Sequence, residues 1–322
     1  MSTSAAASYA QVLSRAREEY AMYEDYYGFI EKPFSITPDP KYLYKSASHA
    51  NALEVLQYGI RRREGLIVIA GDIGTGKTTL CRVLLGQLDS KIFTALIENP
   101  FLSEEDLLRH ILRDFGVVSR DEIRRGRLAG VSKQELIDTL HDFLLSLLPL
   151  GATALLIVDE AQTLPRSVLE HIRILSNLET HKDKLLQIVL VGQTNLKDVL
   201  RSPDLRQLHQ RVSIRYTLQP LTQEETAEYV AHRLTIAGGG SAISFTPKAL
   251  TVLHRCAAGI PRLINLICDR ALLSAYSERS QRVTPEMVRT GATSLDLAVP
   301  RTWLPGWLPR FALRGPRFGM RE

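Results

Sequence analysis

Residues 66–80 read LIVIAGDIGTGKTTL, a short apolar run that passes directly into a stretch with three glycines, a lysine and three threonines. Few backbone paths accept that order. β-Branched residues over strand length, without helical spacing, predict a buried strand. The glycines predict a tight loop, because they reach positive φ without a Cβ penalty. TTLCRVLLGQL, apolar at helical spacing, predicts a helix that begins where the loop ends. Gly71, Gly76, Lys77 and Thr78 thus satisfy Gly-x-x-x-x-Gly-Lys-Ser/Thr in the strand, loop and helix setting that gives the motif its meaning. Through Asp72, Ile73, Gly74, Thr75 and Gly76 the backbone N–H groups of such a loop turn inward on phosphate oxygens, and the positive end of the helix adds to them. Lys77 then meets the β and γ phosphates, Thr78 offers its hydroxyl to Mg²⁺, and Thr79 follows it in the first helical turn. The competing reading is a glycine-rich turn with an idle lysine.

Four more apolar runs follow: FTALIENP (93–100), LLIVDE (155–160), LLQIVLVGQ (185–193) and VSIRYTL (212–218). Helical patterns separate them, which predicts a parallel sheet buried on both faces. SASHANALEVLQYGIRRREG, SEEDLLRHILRDFG and SKQELIDTLHDFLLSLL read as helices, the last opening with Ser132 and Glu135 at capping-box spacing. The Arg-rich SRDEIRRGRLAG between the last two reads as a solvated connection. After Pro220 the strands are expected to stop. TQEETAEYVAHRLTIAG, with Thr222 and Glu225 again spaced as a capping box, and the stretches after it read as helices. The expected organisation is a Ser- and Ala-rich extension over 1–21, an α/β unit over 22–220, a helical unit over 221–296 and a tail over 297–322. YYGFIEKPFSITPDPKYLY (26–44), rich in proline and aromatics, is expected to lie extended across a surface.

At 322 residues, 45% hydrophobic, the chain is long enough for two packed units. Its net charge of +5 is concentrated at the end, where five arginines from Arg301 to Arg321 stand against Glu322. The body is close to neutral, so it is no obvious nucleic-acid binder. Cys81, Cys256 and Cys268 have neither metal-ligand spacing nor an even count, which suits buried thiols in a reducing cytoplasm. The longest apolar stretch, 143–158, is broken by Pro149 and Gly151 and is too short to span a bilayer, and the N-terminus has no secretory-signal pattern. A cytoplasmic protein is expected, with Met22 a second possible start.

A nucleotide used for hydrolysis needs a carboxylate pair at a neighbouring strand end, and VDEAQTL supplies Asp159 for Mg²⁺ and Glu160 to polarise water. Glu160 as a mere helix cap is the alternative. Gln193, at the end of the 185–193 run, reads as a contact to the γ-phosphate or to the water, or else as a turn-stabilising amide. Arg206 and Arg211 precede the last run. Arg211 is preferred as a residue reaching a neighbouring subunit's nucleotide, because it abuts the strand; a solvated helix-end charge is the alternative for both. Arg262, in GIPRLIN, is placed to report the γ-phosphate to the helical unit, with Pro261 starting its helix.

Together these residues resemble the AAA+ ATPases. More narrowly, MYEDYYGFIEKPFSITPDPKYLY, SHANALEVLQYGI, GDIGTGKTTLCR, VDEAQTL, LEHIRILSNLET, KLLQIVLVGQTNL, LRQLHQRVSIRYTLQPL and GIPRLINLICDRALLSAY resemble the ATPase domain of the general secretion pathway protein A, or ExeA-type, family, over roughly residues 22–296. The resemblance implies the α/β P-loop NTPase (AAA+) fold, a parallel sheet sandwiched by helices and followed by a small all-helical lid domain. It implies ATP and Mg²⁺, hydrolysis to ADP and phosphate, self-association, and partners in the assembly of a secretin or pilus. It implies the finger role for Arg211 and the lid-sensor role for Arg262. Family sequences usually begin near the counterpart of Met22. Two departures stand out. Gln193, Thr194 and Asn195 occupy positions where the family often has Gln-Pro-Glu, and the membrane span and peptidoglycan-binding domain of larger members have no counterpart in the sequence, so a cell-wall function is not carried over.

The tail places Trp303 and Trp307 among prolines and arginines, a composition that suits docking on a partner or peripheral contact with an anionic membrane surface, or an unstructured end. Two other functions compete with envelope assembly. One is a transposition or DNA-associated regulator, in which an oligomer gathers Arg124, Arg125 and Arg127 into a ring. The other is a nucleotide-gated scaffold that hydrolyses slowly.

Overall fold

The computed structural model describes residues 23–98, 102–119, 121–122, 130–180, 183–238 and 243–297. The expected roles of the first 21 residues, of Arg124, Arg125 and Arg127, and of the arginine- and tryptophan-bearing part of the tail fall outside them.

The five apolar runs form one parallel sheet: β1 (Leu66–Gly71), β2 (Ile92–Ile97), β3 (Thr153–Val158), β4 (Leu186–Gly192) and β5 (Ile214–Leu218), in the order β2-β3-β4-β1-β5. Every residue of β1 and β4 is buried. Alternate side chains explain why. Leu66, Val68, Leu156, Ile188 and Leu190 face α4 (Glu104–Asp114), α5 (Lys133–Leu147) and α6 (Arg166–Leu175). Ile67, Ile69, Leu155, Val189 and Val191 face α2 (Ala47–Arg61) and α3 (Lys77–Leu85). Each such side chain contributes roughly 1.5–3 kcal/mol on burial, so the sheet is held from both sides. The capping boxes read from the sequence are formed at Ser132 with Glu135 and at Thr222 with Glu225.

Strand ends differ by up to three residues from the sequence reading. β5 begins at Ile214, not Val212, and Arg211 sits at the C-cap of the short α8 (Arg206–Gln210), which follows α7 (Leu196–Arg201). Arg211 therefore ends a helix and does not abut the strand.

Beyond Pro220, α9 (Gln223–Ile236), α10 (Pro247–Ala257), α11 (Pro261–Ser277) and α12 (Pro285–Thr293) pack around their own apolar cluster. Strands do not stop there: β6 (Ser244–Phe245) and β7 (Arg282–Val283) form a two-residue parallel ladder that ties α10 to the turn before α12. Among the described residues no helix is long and apolar enough to cross a membrane.

The aromatic N-terminal segment is not merely laid across a surface. It opens with α1 (Tyr23–Tyr27), and Tyr23, Tyr27, Phe29 and Phe34 are buried in the cluster of the C-terminal helices. A buried arginine fixes it. Arg233 of α9 donates from Nε to the Pro33 carbonyl at 2.5 Å, from Nη2 to the Ser35 carbonyl at 3.1 Å and from Nη1 to the Tyr229 hydroxyl at 2.9 Å. Its guanidinium lies 4.3 Å from the centre of the Tyr42 ring. Arg233→Leu keeps the apolar stem but strands both carbonyls, so it should lower the unfolding free energy by about 3 kcal/mol in urea denaturation and expose residues 30–44 to limited proteolysis. An unchanged midpoint with the segment still protected would show that the arginine is not the pin.

Candidate functional site

The C-terminal ends of β1 and β3 open into one cleft of about 210 Å³, with the exit of β4 beside it. β1 lies between β4 and β5, and β4 separates it from β3, so residues distant in the chain meet at this edge. The point where strand order reverses is where open α/β sheets bind ligands.

From β1 the chain turns through Asp72 to Gly76 into α3. Gly74 and Gly76 have φ of +81° and +95°, the left-handed region. At Gly74 a Cβ would also stand 2.6 Å from Arg262 Cβ, so this turn admits only glycine. Thr75 is fully buried and closes the loop, its N–H and hydroxyl both donating to the Asp72 carbonyl at 3.3 and 2.9 Å. Lys77 is buried, with Nζ donating to the carbonyls of Gly71 at 3.0 Å and Asp72 at 2.9 Å. Burial pulls its ammonium below the usual lysine range, and Glu160, Asp159 and Asp72 oppose that pull. Thr78, Thr79, Ile73 and Glu160 line the same cleft.

Thr78 Oγ1 donates to Asp159 Oδ2 at 2.6 Å, which brings two hard oxygen atoms together one residue beyond Lys77. Among the described residues no group of three or more His, Cys, Asp or Glu could hold a metal by itself. The donor set suits a hard divalent cation that takes its remaining ligands from phosphate and water, as Mg²⁺ does. Asp159 Oδ1 accepts the Glu160 N–H at 2.8 Å, and Glu160, at φ +50°, turns its carboxylate back over the strand ends. There Gln162 Nε2 reaches Glu160 Oε2 at 2.6 Å and Gln193 Nε2 reaches it at 3.4 Å. Thr194 Oγ1 touches Asp72 Oδ1 at 3.3 Å.

Arg262 lies at the second position of α11, after Pro261, and its backbone N–H donates to the Gly74 carbonyl at 3.2 Å. The helical unit is thus docked on the loop itself, with Arg262 in the cleft wall. Arg211 is elsewhere. Ser213 N–H bonds the carbonyl of Leu66, the first residue of β1, so Arg211 is exposed at the opposite end of the sheet, roughly 15 Å of strand from its own phosphate loop. Nearby Glu179, which is held by Lys184, also feels its charge.

Three parts of the site were not anticipated. Residues 35–44 with Leu221, Tyr229 and Asn265 wall the side of the cleft away from the strands. Gln162, whose position two residues after Glu160 was the available signal, contacts the carboxylate. His49 supports the loop from beneath: its Nε2 meets the Thr75 carbonyl at 3.0 Å and its Nδ1 meets Ser46 Oγ at 2.7 Å. A carbonyl only accepts, so Nε2 carries the proton and Nδ1 accepts from the serine. No pattern in the sequence marks a histidine that bonds a backbone carbonyl 26 residues away.

A model of an AAA domain matches residues 60–200. General secretion pathway protein A of Aeromonas hydrophila is 47% identical over 262 residues, 81% of this chain and 46% of that protein. The chain thus spans about half the length of this curated relative. Two solved structures share the fold: Cdc6p from Pyrobaculum aerophilum, at a TM-score of 0.61 and 19% identity over 83% of this chain and 71% of that one, and the Aeropyrum pernix ORC2 protein, at 0.60 and 15% over 83% and 72%.

Burial holds the His49 imidazole below its ordinary value of 6.5, against the Thr75 carbonyl and Glu225, which favour the proton. As pH falls through 6.5, the unfolded chain takes up a proton that the folded chain refuses. Stability should therefore fall on acidification, by up to about 1.4 kcal/mol per pH unit for one such ring. His110, His171, His209, His232 and His254 are shifted the same way, so His49→Gln should remove part of the slope in urea titrations between pH 7.5 and 5.5. A slope identical to that of the unaltered chain would exclude His49 from it.

Proposed function

We propose, because the chain belongs to the general secretion pathway protein A family of AAA ATPases, that it binds ATP with Mg²⁺, hydrolyses it between self-associated protomers, and uses the cycle to drive or regulate assembly of a secretion or pilus-type envelope complex. The observation that carries the hydrolytic reading is the Thr78 to Asp159 contact of 2.6 Å with Glu160 adjoining it. The loop N–H groups and Lys77 hold the phosphates. Thr78 and Asp159 hold Mg²⁺, which supplies positive charge against the phosphate oxygens. Glu160 orients a water and accepts its proton, with Gln193 beside it. Residues 35–44 wall in the rest of the nucleotide, and Arg262 carries the state of the loop into the helical unit.

Arg211 stands too far from its own loop to serve it. As a finger it serves the neighbouring protomer, which ties turnover to assembly. The place of action is the cytoplasm, peripheral to the inner membrane, and the client is named only by analogy with the relative. The near-neutral body gives duplex DNA no special claim.

Glu160→Gln should bind ATP as the unaltered chain does and lose at least about a hundredfold in turnover; unchanged hydrolysis would remove Glu160 as the base. Arg211→Ala should lose about a thousandfold with binding intact. Mixing it with a Lys77→Ala chain should restore part of the activity, since each then supplies what the other lacks. Absence of rescue at every mixing ratio would exclude action in trans.

A further inference from the structure

Gln162 lies in the single helical turn Ala161–Thr163 that follows Glu160, and both ends of its amide are used. Nε2 donates to Glu160 Oε2 at 2.6 Å. Oε1 accepts the backbone N–H of Gln193, at the exit of β4, at 2.9 Å. The two partners fix the amide's orientation, because a carboxylate only accepts and a backbone N–H only donates.

Its surroundings make room for it. A Cβ at Gly192 would stand 2.5 Å from Gln162 Oε1 and 2.9 Å from a Leu196 methyl, so the amide occupies the space a side chain at 192 would need. The backbone of Glu160 is held independently: its N–H by Asp159 at 2.8 Å, its carbonyl by the Thr163 N–H at 2.9 Å and hydroxyl at 2.7 Å. That leaves the direction of the carboxylate to be set by side chains. The Gln193 amide, at 3.4 Å, is a weaker constraint than Gln162.

We propose that Gln162 is a positioning residue for hydrolysis, aiming the Glu160 carboxylate and coupling it to the end of β4. The coupling extends further. Thr194, next to Gln193, touches Asp72 of the phosphate loop. A displacement of the β4 exit by a bound γ-phosphate is therefore transmitted through one rigid amide to the base. An amide is the side chain that meets both demands. Glutamate at 162 keeps the acceptor for Gln193 but sets a second carboxylate against Glu160, and leucine has neither donor nor acceptor.

The inference rests on Glu160 being the base, and the test separates the two. Gln162→Glu, Gln162→Leu, Glu160→Gln and the double variant Glu160→Gln/Gln162→Glu are compared for kcat at saturating ATP, Kd for a fluorescent ATP analogue, and Tm. Both single changes at 162 should lower kcat by about tenfold to a hundredfold, with Kd within about threefold and Tm unchanged. In the Glu160→Gln background, Gln162→Glu should cost nothing further, because the residue acts only through the carboxylate. Wild-type kcat in both 162 variants, alongside a dead Glu160→Gln, would overturn the positioning role and leave the base in place. Parallel losses in Kd and Tm, or additive losses in the double variant, would make Gln162 structural. Full activity in Glu160→Gln would remove both assignments.

Discussion

The Thr78 hydroxyl and the Asp159 carboxylate are 81 residues apart in sequence and 2.6 Å apart in space. They can meet only because β1 and β3 leave the sheet at the same edge, pointing the same way, with β4 between them. Parallel strands require this: each must return to the start of the sheet through a crossover, so every strand delivers its following loop to one edge. The near-complete burial of β1, β3 and β4 makes that edge rigid, and a 2.6 Å hydrogen bond between two such side chains tolerates little displacement.

The same edge would be an open shelf without the helical unit. Its cover is made by two pieces from opposite ends of the chain. Arg262 N–H grips the loop at Gly74, and Arg233 holds the carbonyls of residues 33 and 35, which begin the far wall. Among the described residues no carboxylate hydrogen-bonds the buried Arg233; carbonyl dipoles, a tyrosine hydroxyl and the Tyr42 face surround it. Movement of the helical unit therefore moves the N-terminal wall with it. The loop, the helical unit and the N-terminal wall are thus parts of one packed body.

Much of this was legible in the sequence, for identifiable reasons. The sheet was readable because five β-branched runs are interrupted by helical spacing, and the phosphate loop because its glycines, lysine and threonine are contiguous. Thr222 with Glu225 and Pro261 before Arg262 were readable because caps and helix starts are local chemistry. The strand ends were less so: β5 starts two residues later than Val212 suggests, and Arg211 ends a helix. The N-terminal aromatics read as a surface strap, yet Tyr23, Tyr27, Phe29 and Phe34 are core residues of the C-terminal helices, at the other end of the described chain.

By itself, then, the sequence determined which residues carry charge, hydroxyl and carboxylate at the phosphate loop and the strand ends, because those groups sit in short motifs whose geometry is set by neighbours a few bonds away. Only the tertiary structure decided that His49 supports Thr75, that Gln162 joins Glu160 to Gln193, and that Arg211 lies beyond reach of its own loop. Those facts depend on strand order and on packing between segments far apart in the chain, and no local periodicity records either.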